Sequence, residues 1–300
     1  MSVRSAFRGA GAIFYSNVVV TLPVPSPTSE LSQQVFIVTG SNTGLGLESA
    51  RHLSRFGAAK IILAVRTECK GQEAKKEILA STNQPESSIE VWPLDMSSYD
   101  SVKAFAARAS SALPRIDGVL ANAGIMTTNF QLSEGLEQTI NVNVVSTFLL
   151  YALLAPKMRD SAKQTGNACR FVIPNSALHY MAAIGELKSR EPGLMERLSD
   201  ADQAKMEARY NLSKLLVIYA VRELAQRDAA SGKSSIIINT PNPSWCKSNL
   251  ARERADETGF KFTEKVFARS TEEGSRALVH GLLAGKESNG QYLNDCHVAT

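Results

Sequence analysis

Short runs of consecutive apolar residues alternate along this chain with longer segments whose apolar residues recur every three or four positions. The runs at 35–40 (VFIVTG), 61–65 (IILAV), 89–95 (IEVWPLD), 118–124 (GVLANAG), 170–176 (RFVIPNS) and 235–240 (SIIINT) read as strands, and a last short one falls at 290–293 (GQYL). An unbroken apolar run, in place of strict alternation, is what a strand shows when both its faces are covered. Between the runs, LGLESARHLSRF and SVKAFAARASSAL carry helical spacing. Repeated strand–helix–strand units predict a parallel sheet with right-handed crossovers. The expected architecture is α/β and doubly wound, with a mostly seven-stranded parallel sheet and helices on both faces. Two stretches leave the alternation, 177–206 and 241–268. Both follow the carboxyl ends of strands, where open α/β sheets bind ligands, and they read as substrate-site insertions in a domain spanning 35–300.

Residues 1–34 stand apart as an N-terminal arm with a Pro-rich linker. Arg4 and Arg8 precede GAIFYSNVVVTL, which imitates a secretory leader. The apolar run is too short to span a bilayer and includes Ser16 and Asn17. PVPSPTS follows it where a cleavage site of small residues would stand. The expectation is an ordered, retained arm that packs through Phe14, Tyr15 and the valine run, no integral membrane segment, and a cytoplasmic protein.

Composition narrows the chemistry. A chain of 300 residues with 44% hydrophobic and 21% charged residues suits one large globular domain. The net charge of +4 is spread along the sequence, which argues against nucleic acid as a partner and allows an anionic cofactor. Cys69, Cys169, Cys246 and Cys296 lie far apart without a CxxC pair, and no HExxH occurs. No disulfide framework and no metal site are expected.

The first predicted strand runs into TGSNTGLG (39–46), and a helix follows at once. Gly40 permits a tight turn, Gly44 lets backbone approach a pyrophosphate, and Gly46 allows close packing of the helix. Asn42 and Leu45 belong to the same candidate loop. The helix N-terminus then offers N–H groups and a positive dipole end to phosphates. At the end of the second strand, where an NAD site carries an acidic residue, this chain has Arg66, with Lys70 four residues on. A guanidinium there suits a 2′-phosphate, so NADP(H) is the expected cofactor.

Tyr-x-x-x-Lys occurs twice, at Tyr99–Lys103 and Tyr210–Lys214. Residues four apart share a helix face, so an ammonium can stand near the phenol and favour phenolate. Lowering a phenol from about 10 to about 7 takes roughly 4 kcal/mol, which a lysine and an oxidised nicotinamide could supply. Such a tyrosine serves as general acid or base. Tyr99 enters an ordinary helix after the third strand, whereas Tyr210 opens the long helix beside the candidate substrate side, and Tyr210 is preferred.

TGSNTGLG, ANAG (121–124), NVNVVSTFLL (141–150), a serine after the fifth strand, YNLSK (210–214) and NPSWCKS (242–248) follow one another in this order. The set resembles the short-chain dehydrogenase/reductase family over residues 35–295, and most closely its retinol-dehydrogenase-like and fungal metabolite-tailoring branches. The resemblance implies a single Rossmann-fold domain, NADP(H), and hydride transfer between nicotinamide and a carbonyl or alcohol carbon of an apolar small molecule. It implies that Ser176 hydrogen-bonds the substrate oxygen, Tyr210 is the proton donor, and Lys214 holds the ribose. Asn143 would anchor a water leading to Lys214. Asp95 would accept from the adenine amino group, Asn122 would lie along the ribose, and Cys246 and Ser248 would fix the carboxamide. It also implies pairing of chains through the helices near Asn143 and Tyr210.

The chain departs from the family pattern at Pro174-Asn175 before the serine, at Ser244 where glycine is usual, and in the 34 positions between Ser176 and Tyr210. His179, Tyr180, Met181, Trp245 and Phe260 are candidate linings of the substrate pocket. An isomerase or cyclase using the same pocket, and a non-catalytic NADP(H)-binding protein, are the alternatives the sequence leaves standing.

Overall fold

Along Val35–Thr39, Val35 and Ile37 enter one hydrophobic core while Phe36 and Val38 enter another. The same division recurs at Ile62 and Ala64 against Ile61 and Leu63, and at Phe171 against Val172. Side chains on a strand alternate between faces, so an unbroken apolar run feeds two cores at once. That is the physical content of the runs seen in the sequence.

In a computed structural model, which describes residues 11, 13–26, 29–188, 191, 193–232, 235–247, 250 and 266–299, these strands form one sheet. In chain order they are β1 (Val35–Thr39), β2 (Lys60–Val65), β3 (Ile89–Pro93), β4 (Gly118–Leu120), β5 (Cys169–Val172), β6 (Ile236–Asn242), β7 (Tyr292–Asn294) and β8 (His297–Val298). Their spatial order is β8-β7-β6-β5-β4-β1-β2-β3. The first seven strands pair in parallel, as expected. The eighth, a two-residue antiparallel edge, is an addition. It forms because Asp295 and Cys296 both adopt positive φ, the backbone of a tight two-residue hairpin turn. Neither residue is the Gly or Asn that would have announced such a turn.

One core is covered by α1 (Gly44–Arg55), α2 (Glu68–Thr82) and α6 (Thr271–Leu283), through residues such as Leu53, Ile78 and Leu278. The other is covered by α3 (Tyr99–Ala112), α4 (Thr147–Thr165) and α5 (Met206–Ala230), through Phe105, Leu154 and Val217. The chain enters α4 through a π-helical turn, Asn141–Ser146. The stretch Gln138–Thr165 is long and apolar enough to cross a bilayer, but most of it is buried in this core. The winding direction reverses between β1 and β4, the place where such sheets open a ligand crevice.

Residues 13–19 are helical, and Leu22 beyond them is buried completely. The arm is fastened by polar groups rather than by its aromatic pair. Leu22 N–H donates to Glu273 and Arg276 donates to Leu22 O, whereas Phe14, Tyr15, Val18 and Val19 are all more than half exposed.

Gly71 lies where α2 crosses β2 and β3; a Cβ there would stand 2.4 Å from Val91 Cγ1 and 2.7 Å from Val65 Cγ2. Gly71→Ala gains about 1 kcal/mol of helix propensity but overpacks a covered face, at a cost of about 1–3 kcal/mol. The expected outcome is a net loss of stability, seen as a lower urea midpoint; a higher midpoint would show that the helix can lift off freely.

Candidate active site

The carboxyl ends of β1, β4 and β5 border a cleft of about 1130 Å³, above the roughly 300–1,000 Å³ usual for one ligand. On one side stands the glycine loop after β1. Asn122 donates its side-chain N–H groups to Thr39 O (3.0 Å) and Gly40 O (3.2 Å), and Ala123 N–H donates to Thr39 Oγ1 (2.8 Å). These bonds join the ANAG and TGSNTGLG segments. They also account for Gly46, where a Cβ would lie 2.5 Å from both Asn122 Nδ2 and Gly40 O. Gly40 and Gly44 take positive φ, and Thr43 begins α1 without a side-chain cap. The first helical N–H groups are therefore not taken by a capping side chain and, with Asn42 and Leu45, border the cleft. This cradle fits a pyrophosphate.

Arg66 and Lys70, both exposed, border the cleft, as does Asp95. One Asp95 oxygen is taken by Ser97, from its N–H (2.9 Å) and its hydroxyl (2.7 Å).

Across the cleft, α5 presents Tyr210 and Lys214, both buried. Lys214 Nζ donates to Pro174 O (2.8 Å) and lies 5.4 Å from the centre of the Tyr210 ring. Burial pushes the Tyr210 phenol well above its ordinary range and lowers the Lys214 ammonium to about 8. The sequence-based expectation was a phenol lowered by its lysine; in the protein alone, desolvation dominates and the phenol is held protonated. That is the form able to give a proton.

Ser176 reaches the same cleft. Its hydroxyl accepts from Leu178 N–H (3.2 Å), so it does form a turn, yet that bond leaves the hydroxyl hydrogen uncommitted. The unusual Asn175 proves to be structural. It donates to Lys214 O (3.2 Å) and Thr240 Oγ1 (2.9 Å) and accepts from Ser176 N–H (2.8 Å). A single amide thus fixes the serine relative to the lysine's helix.

Asn143 sits in the π-helical turn. Its amide donates to Ile125 O (2.9 Å) and Ser213 Oγ (3.1 Å) and accepts from Ile125 N–H (2.9 Å). The side chain is occupied in tying the segment after β4 to α5. Cys246 is buried, its thiol pushed up to about 12 by desolvation, and it borders the cleft. Ser248 and Phe260 lie outside the described residues. Met181 and Trp245 border the cleft. His179 is not among its lining residues; it packs against Tyr180 (3.9 Å between ring centres) and Tyr292 (4.7 Å).

Tyr99 is also absent from the cleft lining. Its N–H, at the start of α3, donates to Glu134 (2.8 Å), and Lys103 pairs with Asp100 (3.3 Å). The sequence reading missed the arm. Ile13, Phe14, Asn17 and Val18 form part of the cleft wall, and no local signal announces a contact more than 200 positions away.

Residues 34–170 match the family profile described as short chain dehydrogenase. The short chain dehydrogenase/reductase dmxR8 of Cryptosporiopsis sp. (strain 8999) is 42% identical over 288 residues, covering 95% of this chain and 88% of that protein. The short chain dehydrogenase atnD of Emericella nidulans is 43% identical over 287 residues, covering 94% and 90%. Among solved structures, a short chain dehydrogenase from Pseudomonas syringae superposes with a TM-score of 0.67 at 23% identity, over 92% of this chain and all of that one. One from Shigella flexneri, complexed with NADP, superposes with a TM-score of 0.63 at 20% identity, over 89% and 99%. At these identities the structures demonstrate the shared fold.

Burial that lowers Lys214 from 10.5 to about 8 means the folded state disfavours the ammonium. Lys214→Met removes that cost but strands Pro174 O, a loss of about 1 kcal/mol. At about 1.4 kcal/mol per pKa unit, the lowered ammonium costs the folded state at most about 3 kcal/mol at pH 7, so a net gain of about 1–2 kcal/mol is expected there. The unfolded chain holds this proton up to higher pH than the folded one, so wild-type stability rises with pH between about 8 and 10.5; the variant lacks that rise. Denaturant titrations at pH 7 and 9 check both effects, and a destabilised Met variant would contradict them.

Proposed function

Because the chain belongs to the short-chain dehydrogenase/reductase family, we propose that it is an NADPH-dependent oxidoreductase that interconverts a carbonyl and an alcohol on an apolar small molecule. We read residues 35–300 as its Rossmann-fold domain and 1–34 as an arm. The carrying observation is the buried Tyr210–Lys214 pair four residues apart on α5, facing the same cleft as Ser176 and the glycine cradle.

A nicotinamide cofactor held by the glycine cradle would supply the hydride. Tyr210, held protonated by burial, gives its proton to the carbonyl oxygen as that oxygen gains electron density. Ser176 donates its hydroxyl hydrogen to the same oxygen, stabilising the charge as it develops. Lys214 would hold the ribose hydroxyls of such a cofactor, and its charge near the phenol eases the loss of the tyrosine proton. Asp95 and Asn122 belong to the adenosine side of the cradle, Cys246 to the carboxamide side, and Asn143 keeps the segment after β4 aligned with α5. The relatives are named as dehydrogenases of fungi such as Emericella nidulans; a role in tailoring a secondary metabolite follows by analogy with them.

NADPH should bind more tightly than NADH, because Arg66 stands where the ribose 2′-substituent is chosen. Charge-assisted pairing with phosphate is worth about 1.5–3 kcal/mol. Arg66 is exposed, and solvent screening favours the lower end, about tenfold. Calorimetric titration of both cofactors on wild type and Arg66→Ala tests this; equal wild-type affinities remove the assignment.

Tyr210→Phe keeps the ring, its packing and the helix carrying Lys214. NADPH affinity should stay within about twofold, while single-turnover reduction falls by about 10²–10⁴, the usual worth of general acid catalysis. Tyr99→Phe, outside the cleft, should alter neither. Single-turnover rates with a reactive aromatic dicarbonyl, measured beside NADPH dissociation constants, decide it. Undiminished turnover in Tyr210→Phe would show that another group supplies the proton.

A further inference from the structure

Phe14, Asn17 and Val18 stand at i, i+3 and i+4 on helix 13–19, hence on one face, and that face borders the active-site cleft. The helix is attached there by a fully used amide. Asn17 Nδ2 donates to Trp245 O (2.7 Å) and Phe267 O (2.9 Å), and Asn17 Oδ1 accepts from Trp245 N–H (3.2 Å) and from the Ser244 hydroxyl. A primary amide has two donor hydrogens and two acceptor sites, and all four are spent on this contact.

Ser244 carries a second observation. Its φ is +62°, a left-handed conformation that costs a residue bearing a Cβ more than it costs glycine. The serine hydroxyl provides what glycine lacks, a bond to Asn17, while Ser244 N–H donates to Asn242 Oδ1 (3.0 Å). The departure from glycine is thus matched by a partner in the arm.

Arg269 makes the third connection. Its buried guanidinium donates to Ser16 O, to Val20 O (2.8 Å) and to Pro243 O (3.4 Å). One side chain therefore holds both the helix and the start of the 243–246 loop.

We infer that helix 13–19 is a substrate-selecting wall of the active site, with Phe14 and Val18 contacting an extended apolar, ring-bearing substrate and Asn17 acting as the positioning residue that sets the 243–246 loop. The assignment of that substrate as a carbonyl or alcohol rests on the oxidoreductase reading; the wall itself rests on the cleft. Phe14 and Val18 are apolar, more than half exposed, and directed at a cavity that also contains Ser176 and Tyr210. Phe14 further stacks obliquely near Phe267 (6.3 Å between ring centres), extending the apolar surface across to the segment that Asn17 holds. A small carbonyl compound can sit at Ser176 and Tyr210 without reaching this wall, whereas a flat polycyclic one can be sandwiched against it.

The test uses the full chain in a Trp92→Phe background, which leaves Trp245, at the cleft, as the only tryptophan of the chain. Phenanthrenequinone, a flat tricyclic dicarbonyl, is titrated while Trp245 emission is followed, and its NADPH-dependent reduction is compared with that of the four-carbon 2,3-butanedione. Phe14→Ala/Val18→Ala removes only exposed side chains, so folding is spared. It should weaken phenanthrenequinone binding tenfold or more and raise its KM alike, with the KM for butanedione and the NADPH dissociation constant within twofold. Asn17→Ala should shift Trp245 emission in the free protein and raise KM for both dicarbonyls, whereas Asn17→Asp, which keeps the acceptor for Ser244 and Trp245, should lie between. Absence of saturable quenching in the wild type, or equal quinone affinity in the double variant, overturns the wall. Quenching that the double variant weakens, without any NADPH oxidation, keeps the wall and removes the oxidoreductase reading instead.

Discussion

The amide of Asn122, reaching from the end of β4 to the carbonyls of Thr39 and Gly40, holds open the crevice on which everything else is arranged. Two strands meet there as the sheet changes its winding direction. Their carboxyl ends must separate enough to admit a ligand while remaining at a fixed distance. Backbone hydrogen bonds of the sheet end just before this point, so side chains take over. Asn122, with Thr39 Oγ1 accepting from Ala123 N–H, continues the pairing beyond the last strand residue. Gly46 is the counterpart of this arrangement, since any side chain there would displace the Asn122 amide.

A second tension runs through α5. Tyr210 and Lys214 are buried, and burial alone pushes the phenol up and the ammonium down. Such a pair opposes stability, and stable domains seldom keep it without a use. The surrounding amides hold the pair in register. Asn175 accepts from Ser176 N–H and donates to Lys214 O, and Asn143 bonds Ser213 on the same helix. Both amide N–H groups of each asparagine are engaged by backbone or hydroxyl partners, and they give the site rigidity that the apolar core, lying deeper, does not supply.

The arm extends this principle to the cleft's outer side. The attachment of its helix is polar, through Asn17, Ser16 and the guanidinium of Arg269, and among the described residues of the arm Leu22 and Leu31 are the completely buried apolar ones. Phe14 and Tyr15 are left outward or toward the cleft. Hydrogen bonds fix orientation where apolar contact alone would permit sliding. An element attached in this way can present an apolar face without spending it on its own docking.

The amino-acid sequence by itself determined the strands, the glycine loop and the pairing of Tyr210 with Lys214 on one helix face. Each depends on spacing within a few residues, and such spacing acts through local backbone geometry. The doubling of Tyr-x-x-x-Lys was ordered only by position along the chain; burial beside the cleft for Tyr210, and a capped helix start away from it for Tyr99, came with packing. Tertiary structure also decided the direction in which the phenol is shifted, because desolvation depends on what surrounds the ring and not on the lysine four residues away. The antiparallel edge strand depended on two positive φ angles at Asp295 and Cys296; aspartate is among the residues that take this conformation readily, but cysteine at the second position gives no such signal. The partner of Ser244 lay 227 positions away. No pattern within a window of the sequence registers a contact of that range; it exists only once the sheet has brought the loop after β6 beneath the N-terminal helix.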